Sequence, residues 1–306
     1  MTTLLVQGLH GLGDNLHQRA VMRQLSSRFD VWLETSWPLV YWDMPDLKLL
    51  GRGTTLRTQV KNARRESSAF TRATPPRGAQ MLRMHYPPAR VKSCGSVLAA
   101  MSESAGVPVG DFRLPVRDEW LAKADAVLAK ADRPVMFFRP LTVRKEWTGA
   151  QTRNPRPEHY AALFEAIREQ FYVVSVADLV PGAEWIVGDE LPADLKLHKG
   201  ELDAEALFGV VARADLVFTS PGFGTVLGQA LGRPGVTVFG GYEDARSFSV
   251  GAAYAPWLPI EPQHPCPCWS HTHACPKDID VPSAIGKLTE FVDAVVDSRA
   301  EARIAA

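Results

Sequence analysis

The chain alternates short apolar runs with amphipathic stretches. Residues 3–7, TLLVQ, read as a strand. A glycine-crowded turn, GLHGLGD, follows. Over 15–27, Ala20, Val21, Met22 and Leu25 then form one helical stripe. FDVWLE at 29–34 reads as the next strand. Strand, tight turn, helix and strand begin a βαβ unit and predict a parallel sheet. Residues from about 43 to 92 show no such period and read as irregular. An Ala- and Leu-rich helix over 118–131 precedes a hinge at Asp132-Arg133-Pro134, and RPVMFFRP at 133–140 opens a second set. Helix 157–169 leads to strand 171–177, and helix 204–213, with Asp203 placed as its cap, leads to strand 215–220. The loop PGFG then opens helix 225–231, ahead of strand 235–241. The tail over 282–302 is one amphipathic helix, with Ile285, Leu288, Phe291, Val292, Val295 and Val296 at helical spacing and Pro282 in its first turn.

This pattern predicts an α/β protein of two doubly wound, Rossmann-like domains. The expected bounds are 1–132 and 133–281, with a C-terminal helix at 282–306. Ligands of such sheets bind beyond the carboxyl ends of the strands. The expected cleft is therefore lined by loops 8–15, 139–147, 178–185 and 220–225, with 240–244 beside them.

Composition narrows the class. The chain of 306 residues is 46% apolar and 22% charged, as in folded globular proteins rather than disordered or membrane-spanning ones. No apolar run reaches the roughly 18 residues of a membrane helix. The opening MTTLLVQ lacks the basic start of a signal peptide, so a cytoplasmic location is expected. Four cysteines are too few for a disulfide framework in a chain this long. A formal net charge of zero hides an asymmetry: residues 52–92 hold ten Lys or Arg and one acid, Glu66. Such a segment is either a solvated loop region or a surface for an anionic partner.

Several loops carry candidate chemistry. In 8–15 the glycines allow a tight turn and the close approach of another molecule, and the spacing is not the dinucleotide fingerprint G-x-G-x-x-G. Asp14 reads either as the N-cap of the following helix or as a carboxylate that takes a proton from an acceptor hydroxyl. Around it, Gly11, Gly13 and Asn15, with Arg57, Arg64, Arg83 and His85 of the basic segment, form the expected acceptor side. RPLTVRKEW places Arg139, Thr142, Arg144 and Lys145 after a strand, which suits a diphosphate or a solvated basic turn. SPGFGT places Ser220, Gly222, Gly224 and Thr225 where a helix opens, either an anion site or a tight turn that needs its glycines. HPCPCWSHTHAC at 264–275 crowds three Cys and three His, but C-x-C with the next Cys seven residues later is not a standard structural-zinc spacing. Reduced thiols packed in a loop are the expectation, with no metal and no cofactor required.

Taken together, these pieces resemble glycosyltransferase family 9, the ADP-heptose:lipopolysaccharide heptosyltransferase type. The resemblance rests on GLGDNLHQRAVMRQL, on FFRPLTVRKEW with NPRPEHYAALFEAI, on LDAEALFGVVARADLVFTSPGFGTVLGQALGRPGVTVFGG, and on the PCPCWSHTHAC loop. It spans the start and most of 134–296 and is weak across 36–130. It implies the GT-B fold, two Rossmann-like domains facing across a cleft, with nucleotide-sugar on the C-terminal one and acceptor on the N-terminal one. It also implies inversion at the anomeric carbon without a metal. Asp14 matches the family's base, Thr142 and Lys145 its diphosphate contacts, Glu184 its ribose-binding glutamate, and 220–225 its donor-phosphate loop. One departure is clear: the family's Asp-x-Gly turn with a following His is here SPGFGTV.

The expected function is transfer of a sugar from a nucleotide-sugar to an anionic acceptor such as lipopolysaccharide core, with peripheral membrane contact. A hydroxylated base of phage DNA is the alternative acceptor, since Phe70, His85 and Tyr86 are interleaved with the cations. A non-catalytic sugar-nucleotide binder is the third reading, motivated by the missing Asp and His. Oligomeric state is not legible.

Overall fold

A computed structural model describes residues 1–145, 151–248, 254–270 and 272–304. It divides into two compact units, 1–115 and 116–306.

Unit 1 is built on four parallel strands: β1 (Thr3–Gln7), β2 (Asp30–Thr35), β3 (Lys48–Gly51) and β4 (Gln80–Arg83), in the order β3-β2-β1-β4. Its helices are α1 (Leu12–Ser26), α2 (Arg57–Arg65), α3 (Pro88–Cys94) and α4 (Val97–Ser104). The βαβ opening is as expected, but the middle is not irregular. Between 43 and 92 lie two strands and two helices. Each of these strands is four residues long, too short for a period-2 pattern to register. The chain lays β2 on one side of β1 and returns to pair β4 on the other, with Gln7 opposite Arg83. That reversal makes a topological switch point beyond the ends of β1 and β4.

Unit 1 keeps a neutral histidine in its core. His17 is 2% exposed and meets Phe112 edge-on, with ring centroids 5.0 Å apart. Burial pulls its pKa down to about 4. The unfolded chain therefore takes up this proton near pH 6.5 while the folded unit resists it to about pH 4. Stability that His17 holds above pH 6.5 is lost as the pH falls through that window, by about 3 kcal/mol. Urea midpoints for wild type and His17→Leu at several pH values test this. The variant is expected to lose that part of the acid sensitivity, and identical pH profiles would refute the assignment.

Unit 2 holds six parallel strands: β5 (Val135–Phe138), β7 (Tyr172–Val176), β9 (Leu195–Leu197), β10 (Leu216–Thr219), β11 (Gly235–Val238) and β12 (Trp257–Ile260). Their order is β12-β11-β10-β5-β7-β9. β5, β7, β10 and β11 are buried at every position, as parallel strands covered on both faces must be. One face is packed by α6 (Pro157–Glu165) and the terminal α9 (Val281–Ile304) through Phe164, Leu288 and Val292. The expected amphipathic tail is thus part of this core. The unit also contains the helices α7 (Ala204–Arg213) and α8 (Phe223–Ala230), and Asp203 caps α7 as expected, its Oδ1 accepting from Ala206 N at 2.7 Å.

The division falls after Pro115, not at the expected 132/133 boundary. The reason is α5 (Asp118–Val127), which packs on α7. Trp120 is fully buried against Phe208, ring centroids 5.3 Å apart, and Gly209 lets the helices touch. A Cβ at Gly209 would stand 2.0 Å from the Trp120 carbonyl oxygen. Gly209→Ala is expected to cost about 1–3 kcal/mol in unit 2, despite the better helix propensity of alanine. An unchanged urea midpoint would refute this.

Candidate active site

The polar residues of the opening motif do two kinds of work. Asn15, Gln18 and Arg19 are fully buried. Asn15 donates to the Leu9 and Gly11 carbonyls at 2.9 and 2.8 Å and accepts from Thr35 Oγ1 at 2.7 Å. Gln18 donates to the Tyr41 hydroxyl and accepts from Leu9 N. Arg19 forms a two-point pair with Asp43 at 3.0 and 2.9 Å. Asn15, expected on the acceptor side, is therefore spent on holding the turn. A buried amide with its bonds satisfied inside the protein has little left for a ligand.

Asp14 is different. The helix starts at Leu12 with Gly11 as its N-cap, so Asp14 sits in the first turn and is not the cap. The sequence reading of a cap failed because the helix begins three residues earlier than its apolar stripe suggests. Asp14 is half-buried, and its Oδ1 accepts a 2.7 Å hydrogen bond from the Tyr86 hydroxyl. Tyr86 lies just beyond β4, so the switch point brings the two together across 72 residues. Gly11 makes room for the carboxylate: a Cβ there would stand 2.5 Å from Asp14 Oδ2. His10 is close by. Burial and then Arg52 lower its pKa, Asp14 pulls the other way, and its Nδ1 is buried with no hydrogen-bond partner. A carboxylate, a phenol and a neutral imidazole thus gather at the switch point of unit 1. Tyr86 was placed by sequence among aromatic residues for base stacking; only its position after a strand end could have pointed here.

The cations of the acceptor side spread around this crest. α2 carries Arg57, Lys61, Arg64 and Arg65 at i, i+4, i+7 and i+8, one face of the helix, while Gln59 and Asn62 are buried on the other. Arg83 ends β4 and is exposed, as is His85, whose Nδ1 lies 3.0 Å from the Arg83 carbonyl oxygen. Gly13 lies in the first turn of α1.

In unit 2 the switch point falls between β5 and β10, where Phe138 pairs with Phe218. The residues that follow are Arg139 on one side and Ser220 on the other, so the two expected donor loops share one crest. Arg139 N donates to Phe218 O, and its guanidinium lies 5.3 Å from the Phe223 ring centroid.

The first of these segments is not a plain loop. Thr142–Arg144 forms β6, paired antiparallel with β8 (Glu184–Ile186), with Arg144 opposite Glu184. Glu184 is 3% exposed and lies between two guanidiniums, Arg139 Nη2 at 3.0 Å and Arg144 Nε at 2.9 Å. Thr142 Oγ1 also accepts from Arg139, at 3.3 Å. Burial lowers the Arg139 pKa, and Glu184 opposes that shift. Lys145 is exposed and its amide donates to Ala183 O. Glu146 and Trp147, the end of the expected loop, lie outside the described residues.

The second segment opens α8 with no side-chain cap on its first turn. Amide donors at a helix N-terminus favour an anion. A Cβ added at Gly222 would meet nothing within 4 Å, whereas at Gly224 it would stand 2.9 Å from Thr219 Oγ1. Thr225, expected among the donor ligands, is fully buried, with its hydroxyl 2.9 Å from Thr237 Oγ1. Its side chain serves the fold; Ser220 remains half-exposed at the crest. A separate slot of about 260 Å³, lined by Pro140, Leu141, Pro157, Ile186 and Leu191 among others, includes none of the expected phosphate-binding residues.

No family model and no curated protein matches the sequence. Solved structures do. A glycosyl transferase family 9 protein from Veillonella parvula aligns with a TM-score of 0.64 at 12% identity, over 97% of this chain and 98% of that one. The dodecameric iron-containing heptosyltransferase TibC, in complex with ADP-D-β-D-heptose, gives 0.61 at 14%, over 98% and 77%. The E. coli ADP-heptose lipopolysaccharide heptosyltransferase II gives 0.54 at 13%, over 95% and 98%. The class is therefore the expected GT-B fold, and the fold is that of solved glycosyltransferase family 9 heptosyltransferases. Among the described residues no helix is long and apolar enough to cross a membrane.

Proposed function

We propose that this chain is an inverting glycosyltransferase that moves a sugar from a nucleoside-diphosphate sugar to a hydroxyl of an anionic acceptor. The observation that carries the reading is the Asp14 carboxylate, held by Tyr86 at the switch point of unit 1 rather than used as a helix cap. The GT-B likeness supports it.

Each unit supplies one half of the chemistry. Asp14 takes the proton of the acceptor hydroxyl as that oxygen bonds to the anomeric carbon. The bond from that carbon to the diphosphate oxygen breaks, and the electron pair leaves with the nucleoside diphosphate. Charge growing there is met in unit 2 by Arg139, Arg144, Lys145 and the first turn of α8. No step calls for a metal.

ADP-heptose, the donor in complex with one of the similar proteins, is the first donor to test. The basic face of α2 favours a phosphorylated acceptor. Phosphorylated glycan of lipopolysaccharide-core type is favoured over DNA, because the Tyr86 hydroxyl is committed to Asp14, which ties that aromatic residue to the carboxylate. The deciding experiment measures nucleoside diphosphate released from a panel of nucleotide-sugars, with lipopolysaccharide core or hydroxylated-base DNA present. Release that depends on the glycan supports the proposal. Release that depends on DNA transfers it to the alternative acceptor. Nucleotide binding with no release for any pair marks a non-catalytic binder.

A further inference from the structure

The Cys/His run near the end of unit 2 has no part in that chemistry, yet the fold gathers it tightly. One ligand atom from each of Cys266, Cys268 and His273 lies within 4.8 Å of the others. Cys275 closes the group: its Sγ is 3.3 Å from Cys268 Sγ and 3.4 Å from His273 Nδ1, and His273 Nδ1 is 3.8 Å from Cys266 Sγ. Ligand atoms bound tetrahedrally at about 2.1–2.3 Å from a zinc ion stand about 3.5–3.8 Å apart. The histidine thus fills the seven-residue gap that makes the cysteine spacing look wrong, and the motif becomes C-x-C-x4-H-x-C.

Two simpler explanations fit less well. The cysteines are free, and a disulfide requires sulfurs about 2.05 Å apart. Apolar packing of thiols does not explain why Cys266 and Cys268, both half-buried, turn their sulfurs toward an imidazole. The backbone is bent to allow this. Cys268 N donates to Cys266 O at 2.5 Å, and Trp269 is the one non-glycine residue at positive φ among the described residues, at 58°. Such a conformation costs about 1–3 kcal/mol and persists where the surroundings impose it. Ser270 N donates to Cys268 Sγ at 3.4 Å, the kind of outer hydrogen bond that supports a metal-bound thiolate.

We propose that Cys266, Cys268, His273 and Cys275 hold one tetrahedral transition-metal ion, zinc by the ligand set. The ion is structural. All four positions are protein ligands, which leaves no open position for substrate. Its loop braces the crest of unit 2: Trp269 N donates to Tyr242 O at 3.1 Å, and Lys277 Nζ donates to the carbonyls of Gln151 and Asn154. Arg153 is paired with Glu243, which is 1% exposed, and Asn154 donates to Thr142 O at 3.2 Å. A closed metal loop thus pins the segments beside β6.

Metal content of the purified chain, and the absorption spectrum after reconstitution with Co²⁺, test the proposal. One equivalent of zinc is expected, with thiolate charge-transfer bands and the intense visible bands of tetrahedral cobalt. Cys268→Ser and Cys275→Ser should lose the ion, while Cys94→Ser, in unit 1, should keep it. The wild-type cobalt spectrum reads the site even if a variant fails to fold. Iron on the same ligands would keep the site and overturn the choice of ion. Four titratable thiols with no metal after reconstitution, a Cys268–Cys275 disulfide in fresh protein, or metal retained by both serine variants would overturn the site itself.

Discussion

Replacing Asp14 by Asn is expected to lower the rate of sugar transfer by about 10²–10⁴-fold while leaving the affinity for nucleoside diphosphate unchanged. The amide keeps the size of the carboxylate and still accepts from the Tyr86 hydroxyl, so the turn and α1 are preserved. What is lost is the ability to take a proton as the acceptor oxygen attacks. Donor binding is assigned to unit 2, which explains the split between rate and affinity. Tyr86→Phe is the companion variant. It removes a hydrogen bond that positions the carboxylate, and a loss of about tenfold or less is expected. Gly11→Ala, whose methyl would collide with Asp14 Oδ2, should lower the rate without touching donor affinity. Single-turnover rates and nucleotide titrations read both quantities. If Asp14→Asn keeps more than about a tenth of the wild-type rate, Asp14 is not the base and the proposed mechanism fails.

The second large effect concerns Glu184. Its carboxylate is buried between Arg139 and Arg144, so Glu184→Gln removes the countercharge of two guanidiniums. Stability of unit 2 is expected to fall by about 3 kcal/mol, near the low end for breaking a buried pair, since the amide still accepts a hydrogen bond. The effect on ligands separates two roles. If Glu184 chiefly neutralises the arginines, the variant gains local positive charge and should bind inorganic pyrophosphate and nucleoside diphosphate more tightly. If Glu184 holds a ribose, as the family resemblance implies, nucleoside diphosphate should bind more weakly while pyrophosphate does not. The observed pairs favour the first. Calorimetric titration with both ligands decides it, and a selective loss of the nucleoside would sink that assignment.

Local sequence determined most of the elements and their sense. Asp203 caps α7 where a helix-capping residue stands. The stripe of Leu288, Val292 and Val295 is buried on α9, and the wholly apolar or small positions of β5, β10 and β11 are wholly buried. These signals arise from residues within a few positions of each other, where helix and strand periods act directly. The glycine turns at 11 and 222 were legible for the same reason.

What tertiary structure alone decided lies in the pairings. Two four-residue strands, β3 and β4, stand in the stretch from 43 to 92 and are too short to show a period, and the second carries Tyr86 to Asp14. β6 meets β8 across a long stretch of chain and turns a presumed basic loop into a ribbon with a buried carboxylate. Trp120 and Phe208 draw α5 into unit 2 and move the boundary. Asn15 and Thr225 looked like ligands because they are polar residues in glycine-rich turns; their burial assigned them to the fold. The Cys/His cluster needed a bend at Trp269 to gather. In each case the deciding contact depends on which surfaces the packed sheets bring together, and side-chain period along one segment holds no record of a partner 40 or 70 residues away.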